Sequence, residues 1–134
     1  MTTEMTVLAW TLVLAFVQIL LFDVARTRQY GLNWNTGPRD EAMPPLSVMA
    51  ERLRRAQDNL FETLPLFIGA VLIAHLTGRD SRWTAIGAQI YFWGRVVYVP
   101  LYTLGVRQIR SLVWLISTAG LVIILVRILT PALG

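Results

Sequence analysis

Four runs of apolar residues, at positions 5–22, 56–77, 83–104 and 111–129, dominate this chain. Each reaches or approaches the roughly 20 residues a helix needs to cross the hydrocarbon core of a bilayer. In lipid, backbone polar groups have to be satisfied inside the segment itself, so such runs fold as helices and pack as a bundle. Composition agrees. The chain is 55% hydrophobic and 15% charged, whereas soluble domains carry about 25% charge, so it has too little polar surface to coat a water-soluble globule. The first run has no basic residue before it and no small-x-small cleavage site after it, so it reads as a span and not as a cleaved leader. The expected fold is an all-α integral membrane protein of one domain, 1–134, a four-transmembrane-helix bundle with helices at about 5–24, 46–77, 83–104 and 110–130.

Several chemistries are excluded by composition. With no cysteine there is no thiol nucleophile, disulfide framework or zinc–thiolate site, and one histidine, His75, does not make a metal centre; no metal site is expected. The net charge of +4 would suit nucleic acid, but all twelve basic residues are arginines lying mostly between the apolar runs, which points to topology and no nucleic-acid partner. The long connection 23–45 and the turn at 105–110, with their margins, hold Arg26, Arg28, Arg39, Arg52, Arg54, Arg55, Arg107 and Arg110. The opposite side has Arg79, Arg82 and Arg127. The positive-inside rule then places the long connection and the 105–110 turn in the cytoplasm and both termini across the membrane, in a bacterial inner membrane on this reading. The short turns at 77–82 and 105–110 make consecutive helices antiparallel.

The polar residues within the spans are concentrated in one leaflet. Arg55, Asn59, Glu62 and Leu66 fall on one face of the second long helix, and Arg95, Tyr98 and Tyr102 on one face of the third. At about 1.5 Å per residue, Glu62 and Arg95 lie at matching depths, about 12 and 13 Å inside the cytoplasmic boundary. Their opposite charges read as a structural ion pair. Buried ionisable groups cost about 2.5–3.5 kcal/mol each at a helix centre. Arg55, Asp58, Asn59, Glu62 and Arg95 are therefore expected to point inward, either as interhelical hydrogen-bond glue or as the lining of a polar pocket open to the cytoplasm. Arg110, at the start of the fourth helix, lies at the same level, where snorkelling to headgroups competes with a role in the pocket. A channel or transporter would want polar positions through both leaflets, which this chain lacks. His75, Trp10, Trp83 and Trp93 read as interfacial or packing residues. Pro65 and Pro100 break the hydrogen-bond ladders of the second and third helices near the pocket.

The run Glu51-Arg52-Leu53-Arg54-Arg55-Ala56-Gln57-Asp58-Asn59-Leu60-Phe61-Glu62, continuing through Pro65 and Phe67, resembles the signature of the MAPEG superfamily, the membrane-associated proteins in eicosanoid and glutathione metabolism. A second block, Arg95-Val96-Val97-Tyr98-Val99-Pro100-Leu101-Tyr102 followed by Arg110-Ser111, is similar to that family's third-helix tyrosines and fourth-helix arginine. The resemblance implies a four-helix protomer assembled as a homotrimer, with glutathione as cosubstrate bound between neighbouring subunits near the cytoplasmic face. It implies glutathione contacts from Arg55, Gln57, Asn59, Glu62, Tyr98 and Tyr102, and a thiolate-stabilising, catalytic role for Arg110. Arg28, or Arg26 two positions earlier, matches a first-helix arginine that meets the glutathione carboxylate. Thr63 and Trp114 stand where eicosanoid-processing branches have tyrosines, so the resemblance carries the glutathione contacts further than it carries an eicosanoid substrate.

The function this resemblance implies is that of a glutathione-dependent transferase or peroxidase, acting on a lipophilic small-molecule substrate among membrane lipids. The chemistry suits the residues. Arginine forks match carboxylates, Glu62 matches an ammonium, and amide side chains match the peptide groups. A free thiol has a pKa near 8.5, and a guanidinium in hydrogen-bond reach favours its anion. The alternative is a non-catalytic lipid-binding or scaffold protein of the same fold, a branch that lacks the arginine matching Arg55.

Overall fold

The helices begin where the sequence supplies caps. Met5 donates its backbone N–H to Thr2 Oγ1 at 3.2 Å, and Ala50 donates to Ser47 Oγ at 3.1 Å. Ser81 and Thr84 form a reciprocal capping box, at 3.3 Å and 2.7 Å. These bonds satisfy donors that a helix start otherwise leaves unpaired. In the computed structural model, which describes residues 1–130, the elements are α1 (Thr3–Tyr30), α2 (Leu32–Thr36), α3 (Val48–Leu76), α4 (Arg82–Thr103) and α5 (Gln108–Leu129). The C-terminal end of the expected domain, 131–134, lies outside the described residues.

Helix α1 runs six residues past its expected end. Its 28 residues span about 42 Å, against a hydrocarbon core of about 30 Å, so two turns project beyond the apolar slab. Arg26 pairs with Asp23 at 3.0 Å within this extension, and Gly31, at φ +97°, ends it in a conformation that favours glycine. The 29-residue α3 overshoots in the same way at its N-terminus. The two projecting ends are strapped together. Gln29 donates to Pro45 O at 2.8 Å and accepts from Ser47 N at 2.6 Å, while Tyr30 OH donates to Pro44 O at 2.5 Å. The long connection is therefore tied down at both margins, with α2 placed inside it.

In the bundle α3 and α4 sit centrally. Helix α1 packs on both of them from one side and α5 packs on both from the other. At one end, Arg52 donates to Thr103 O at 3.3 Å, joining the start of α3 to the end of α4. At the other end, Arg79 caps Ile128 O at the close of α5. The closest approach is between α4 and α5, where glycine and serine replace bulk. A methyl group on Gly120 would meet Gly87 O at 2.5 Å and Tyr91 N at 2.7 Å, and one on Gly94 would meet Ser117 Cβ at 2.6 Å. Small residues let membrane helices come together where water supplies no driving force. Ser117 Oγ adds a buried bond to Tyr91 O at 2.8 Å.

Helices α1, α3 and α5 are each long and apolar enough to cross a membrane. Helix α4 has the length, 22 residues, but contains Gln89 and Arg95. Its charge is turned inward, with Arg95 only 1% exposed. Outward-facing residues such as Trp10, Phe16, Leu20, Leu66, Trp93 and Leu115 form the apolar surface expected of a bundle in lipid.

Two expectations about polar residues are corrected. Arg95 does not pair with Glu62; it donates to Asn59 Oδ1 at 2.6 Å and Thr63 Oγ1 at 3.0 Å. The depths match but the azimuths do not. At about 100° per residue, Asn59 and Thr63 lie about 40° apart and bracket the direction of α4, and Glu62 is turned about 60° to the far side of Asn59. Nor do all the charges of this region point inward. Arg55, Asp58 and Glu62 are exposed on the outer face of α3, and only Asn59 and Arg95 are drawn into the bundle.

The glycine contacts predict opposite outcomes for two alanine substitutions. Gly120→Ala forces α4 and α5 apart against backbone atoms and should destabilise the protein by about 1–3 kcal/mol. Gly69, on α3, has nothing within 4 Å of an added methyl, so Gly69→Ala should be neutral or raise stability by up to about 1 kcal/mol. Thermal unfolding of the two variants in detergent, read by circular dichroism, checks the contrast.

Candidate functional site

At the arginine-rich end, three helices converge on a cavity of about 460 Å³ lined by Asn59 of α3, Tyr98 and Tyr102 of α4, and Arg110, Ser111, Trp114 and Leu115 of α5. This is the size range of small-molecule sites. Tyr98 and Tyr102 are one helical turn apart, with ring centroids 5.6 Å from one another. Arg110, in the first turn of α5, places its guanidinium 4.5 Å from the centre of the Tyr102 ring. A cation over an aromatic face is held in direction as well as attracted. Arg110 is therefore aimed along the cavity wall, unlike a side chain free to snorkel into headgroups.

Behind the wall stands the polar core of the bundle. Arg95 reaches between Asn59 and Thr63, and Thr63 Oγ1 lies 2.9 Å from Tyr91 OH. The Arg95 guanidinium carbon is 5.6 Å from the Tyr91 ring centre and 5.4 Å from that of Tyr98. Tyr91 in turn stacks on Phe67 with centroids 4.1 Å apart. Asn59 belongs to both groups: it bonds Arg95 and lines the cavity.

The cavity thus presents a cation, an amide and three hydroxyls, with no carboxylate in its lining. Such a donor-rich wall suits an anion or a ligand dense in carbonyl and carboxylate oxygens. No group of three histidine, cysteine or acidic residues placed to hold a metal ion occurs among the described residues.

Of the residues singled out from sequence, Asn59, Tyr98, Tyr102 and Arg110 come together. Arg55 and Glu62 do not join them within one chain; they continue the Asn59 stripe on the exposed face of α3, Arg55 making only a 3.8 Å contact with Glu51. Gln57 lies off the cavity with its Oε1 buried and without a hydrogen-bond partner. Arg28 is on the outer side of α1, beside two shallow grooves that contain Val24, and Arg26 is occupied by Asp23 and by the rings of Phe22 and Trp34. Leu115 is the lining residue that sequence reasoning misses; the i, i+1, i+4, i+5 spacing from Arg110 through Ser111 and Trp114 is the signal for it.

No curated protein and no solved structure matches the chain. A model of the MAPEG family matches residues 7–130, from the second turn of α1 through the end of α5, and this membrane-embedded chain belongs to that family.

Proposed function

We propose that the protein is a glutathione-dependent transferase or peroxidase that handles lipophilic electrophiles from within the membrane. The observation that carries this reading is Arg110, fixed over the Tyr102 ring at the edge of a cavity that holds no acidic side chain. A thiol entering there meets one fixed cation in a partly desolvated setting, which favours the thiolate. Lowering a thiol pKa by about two units takes roughly 2.7 kcal/mol, within reach of one charge-assisted contact. In conjugation the thiolate sulfur forms a bond to an electrophilic carbon of the acceptor as that carbon's π bond, strained C–O bond or bond to a leaving group breaks. The thiol proton goes to solvent, and the displaced electron pair leaves with the departing anion or takes a proton from solvent. The acceptor arrives from the lipid side, past Leu115 and its exposed apolar neighbours Leu112 and Ile116.

Glutathione also carries an ammonium and a second carboxylate, and the cavity of one chain has no acid for the ammonium. Arg55 and Glu62, exposed on the same stripe of α3 as Asn59, are the groups to supply those contacts once a neighbouring subunit covers them. Arg28 is then offered by the α1 of an adjoining copy. These placements support a homotrimer with glutathione between subunits. Under this arrangement the arginine-rich end faces the cytoplasm, where the thiol pool is.

Three outcomes are expected. Arg110→Ala should raise the bound thiol's pKa by about two units, which lowers its thiolate fraction about 25-fold at neutral pH, with much less loss of glutathione affinity. Turnover should recover as the pH is raised, and Arg110→Lys should restore part of it, since a point charge remains while the planar fork is lost. An unshifted pH–rate profile in Arg110→Ala would reduce Arg110 to a headgroup anchor.

Arg55→Ala should abolish measurable glutathione binding in calorimetry while the oligomer stays intact by light scattering; unchanged affinity in a folded variant removes Arg55 from the site.

The chain has no cysteine, so single cysteines report topology without background. Arg107→Cys should react with an impermeant maleimide only from the cytoplasmic side, and Arg82→Cys only from the opposite side. The reverse pattern would separate the cavity from the cytosolic thiol.

A further inference from the structure

Arg95 is a fully buried guanidinium that makes no ion pair with a carboxylate among the described residues. Its hydrogen bonds go to two neutral oxygens, Asn59 Oδ1 and Thr63 Oγ1. Arginine only donates. The Asn59 side chain can therefore meet it in one orientation alone, with the carbonyl oxygen turned back to Arg95 and the amino group turned away. Asn59 is also the one α3 residue in the lining of the cavity.

The geometry points to Arg95 as a positioning residue that locks the Asn59 amide so that the cavity receives N–H donors and never the carbonyl oxygen. A free asparagine offers a donor and an acceptor at nearly the same place, and the two exchange by rotation. Held from behind by a 2.6 Å bond from a cation, Asn59 becomes a one-way donor. It faces a carboxylate or carbonyl oxygen of the ligand, and the ligand feels the Arg95 charge through it. Thr63 completes the lock. Its oxygen accepts from Arg95 at 3.0 Å and lies 2.9 Å from Tyr91 OH, so the guanidinium is held on two sides while the rings of Tyr91 and Tyr98 lie within cation–π range. That Asn59 meets glutathione rests on the proposed function; that its amide is oriented does not.

Asn59→Asp separates ligand contact from amide orientation, measured on the full-length protein in detergent by thermal unfolding and by glutathione titration calorimetry. The carboxylate keeps an acceptor for Arg95 and adds a charge to pair with it, but brings no donor to the cavity. Its unfolding midpoint should stay level or rise, while glutathione affinity falls at least tenfold. A double-mutant cycle adds a readout that a purely structural role would not move. Arg95→Lys should weaken glutathione binding severalfold when Asn59 is present and cause no further loss on top of Asn59→Ala, because its effect passes through that amide. A clear fall in the midpoint of Asn59→Asp, or independent and additive losses of affinity in the cycle, would overturn the proposal. If the wild-type protein takes up no glutathione, the glutathione reading falls, and the amide orientation is then decided by the Asn59→Asp midpoint alone.

Discussion

Placing a guanidinium inside a membrane bundle without a carboxylate partner among the described residues is the constraint around which this protein is arranged. An arginine at a helix centre costs about 2.5–3.5 kcal/mol on insertion scales. Two hydrogen bonds to a charged donor return roughly 1.5–3 kcal/mol each, and an aromatic face contributes up to about 2 kcal/mol when desolvated. Arg95 has two such bonds and two tyrosine rings within range, set against its burial and against an Nε that is buried without a partner. The consequence extends beyond stability. Because an arginine only donates, the two side-chain oxygens that meet it, Asn59 Oδ1 and Thr63 Oγ1, are turned to accept from it.

The rest of the bundle holds that arrangement in register. Helix α4 contributes Arg95, Tyr98 and Tyr102, and α5 contributes Arg110, so the relation between the buried cation and the cavity cation is set by how closely those helices approach. Gly87, Gly94, Ser117 and Gly120 bring them to a separation at which one added methyl would strike backbone or Cβ. Ser117 then pins the register through Tyr91 O, and the same Tyr91 meets Thr63 through its hydroxyl. On the other side, Arg52 near the start of α3 ties that helix to Thr103 O at the end of α4, two turns before Asn59. A residue that packs one helix pair thus also locates a polar group two residue layers away.

Much of this was legible in the sequence because lipid imposes a length and a composition that few other folds share. The apolar runs located the four long helices, and helical spacing put Arg95, Tyr98 and Tyr102 on one face of one helix and Arg55, Asn59 and Glu62 on one face of another. Depth along a helix is also readable, at a fixed rise per residue, so the convergence of Asn59, the two tyrosines and Arg110 at one level was foreseeable. Azimuth between helices is not. Which of Asn59, Glu62 and Thr63 meets Arg95 depends on how α3 is rotated against α4, where Phe67 stacks on Tyr91. Opposite charges at equal depth therefore suggested a pair that the bundle does not make. The extension of α1 to Tyr30 was hidden for a related reason. Its last turns lie beyond the apolar run and are stabilised by contacts with residues 44–47, a long-range effect that local polarity does not reveal.

The outward position of Glu62 has the same physical origin. A carboxylate paired with Arg95 would cancel the positive field that the cavity draws on and leave Asn59 free to rotate. Turned to the outer face, Glu62 makes no ion pair with Arg95 and stays on the helical stripe it shares with Asn59. The separation divides the surface by sign: a cationic wall of amide and hydroxyl groups at the cavity, and an acid and an arginine on the outer face of α3. On the proposed reading the ligand carries carboxylates, an ammonium and a thiol, and it needs groups of both signs that are kept from neutralising one another. Within one protomer, an acid and a cation facing each other across one cavity would be drawn into a pair. Distributing them across the outer face of α3 and the inner face of α4 and α5 solves this. On the proposed reading it also makes the edge of the protomer, and not its centre, the place where the ligand has to sit.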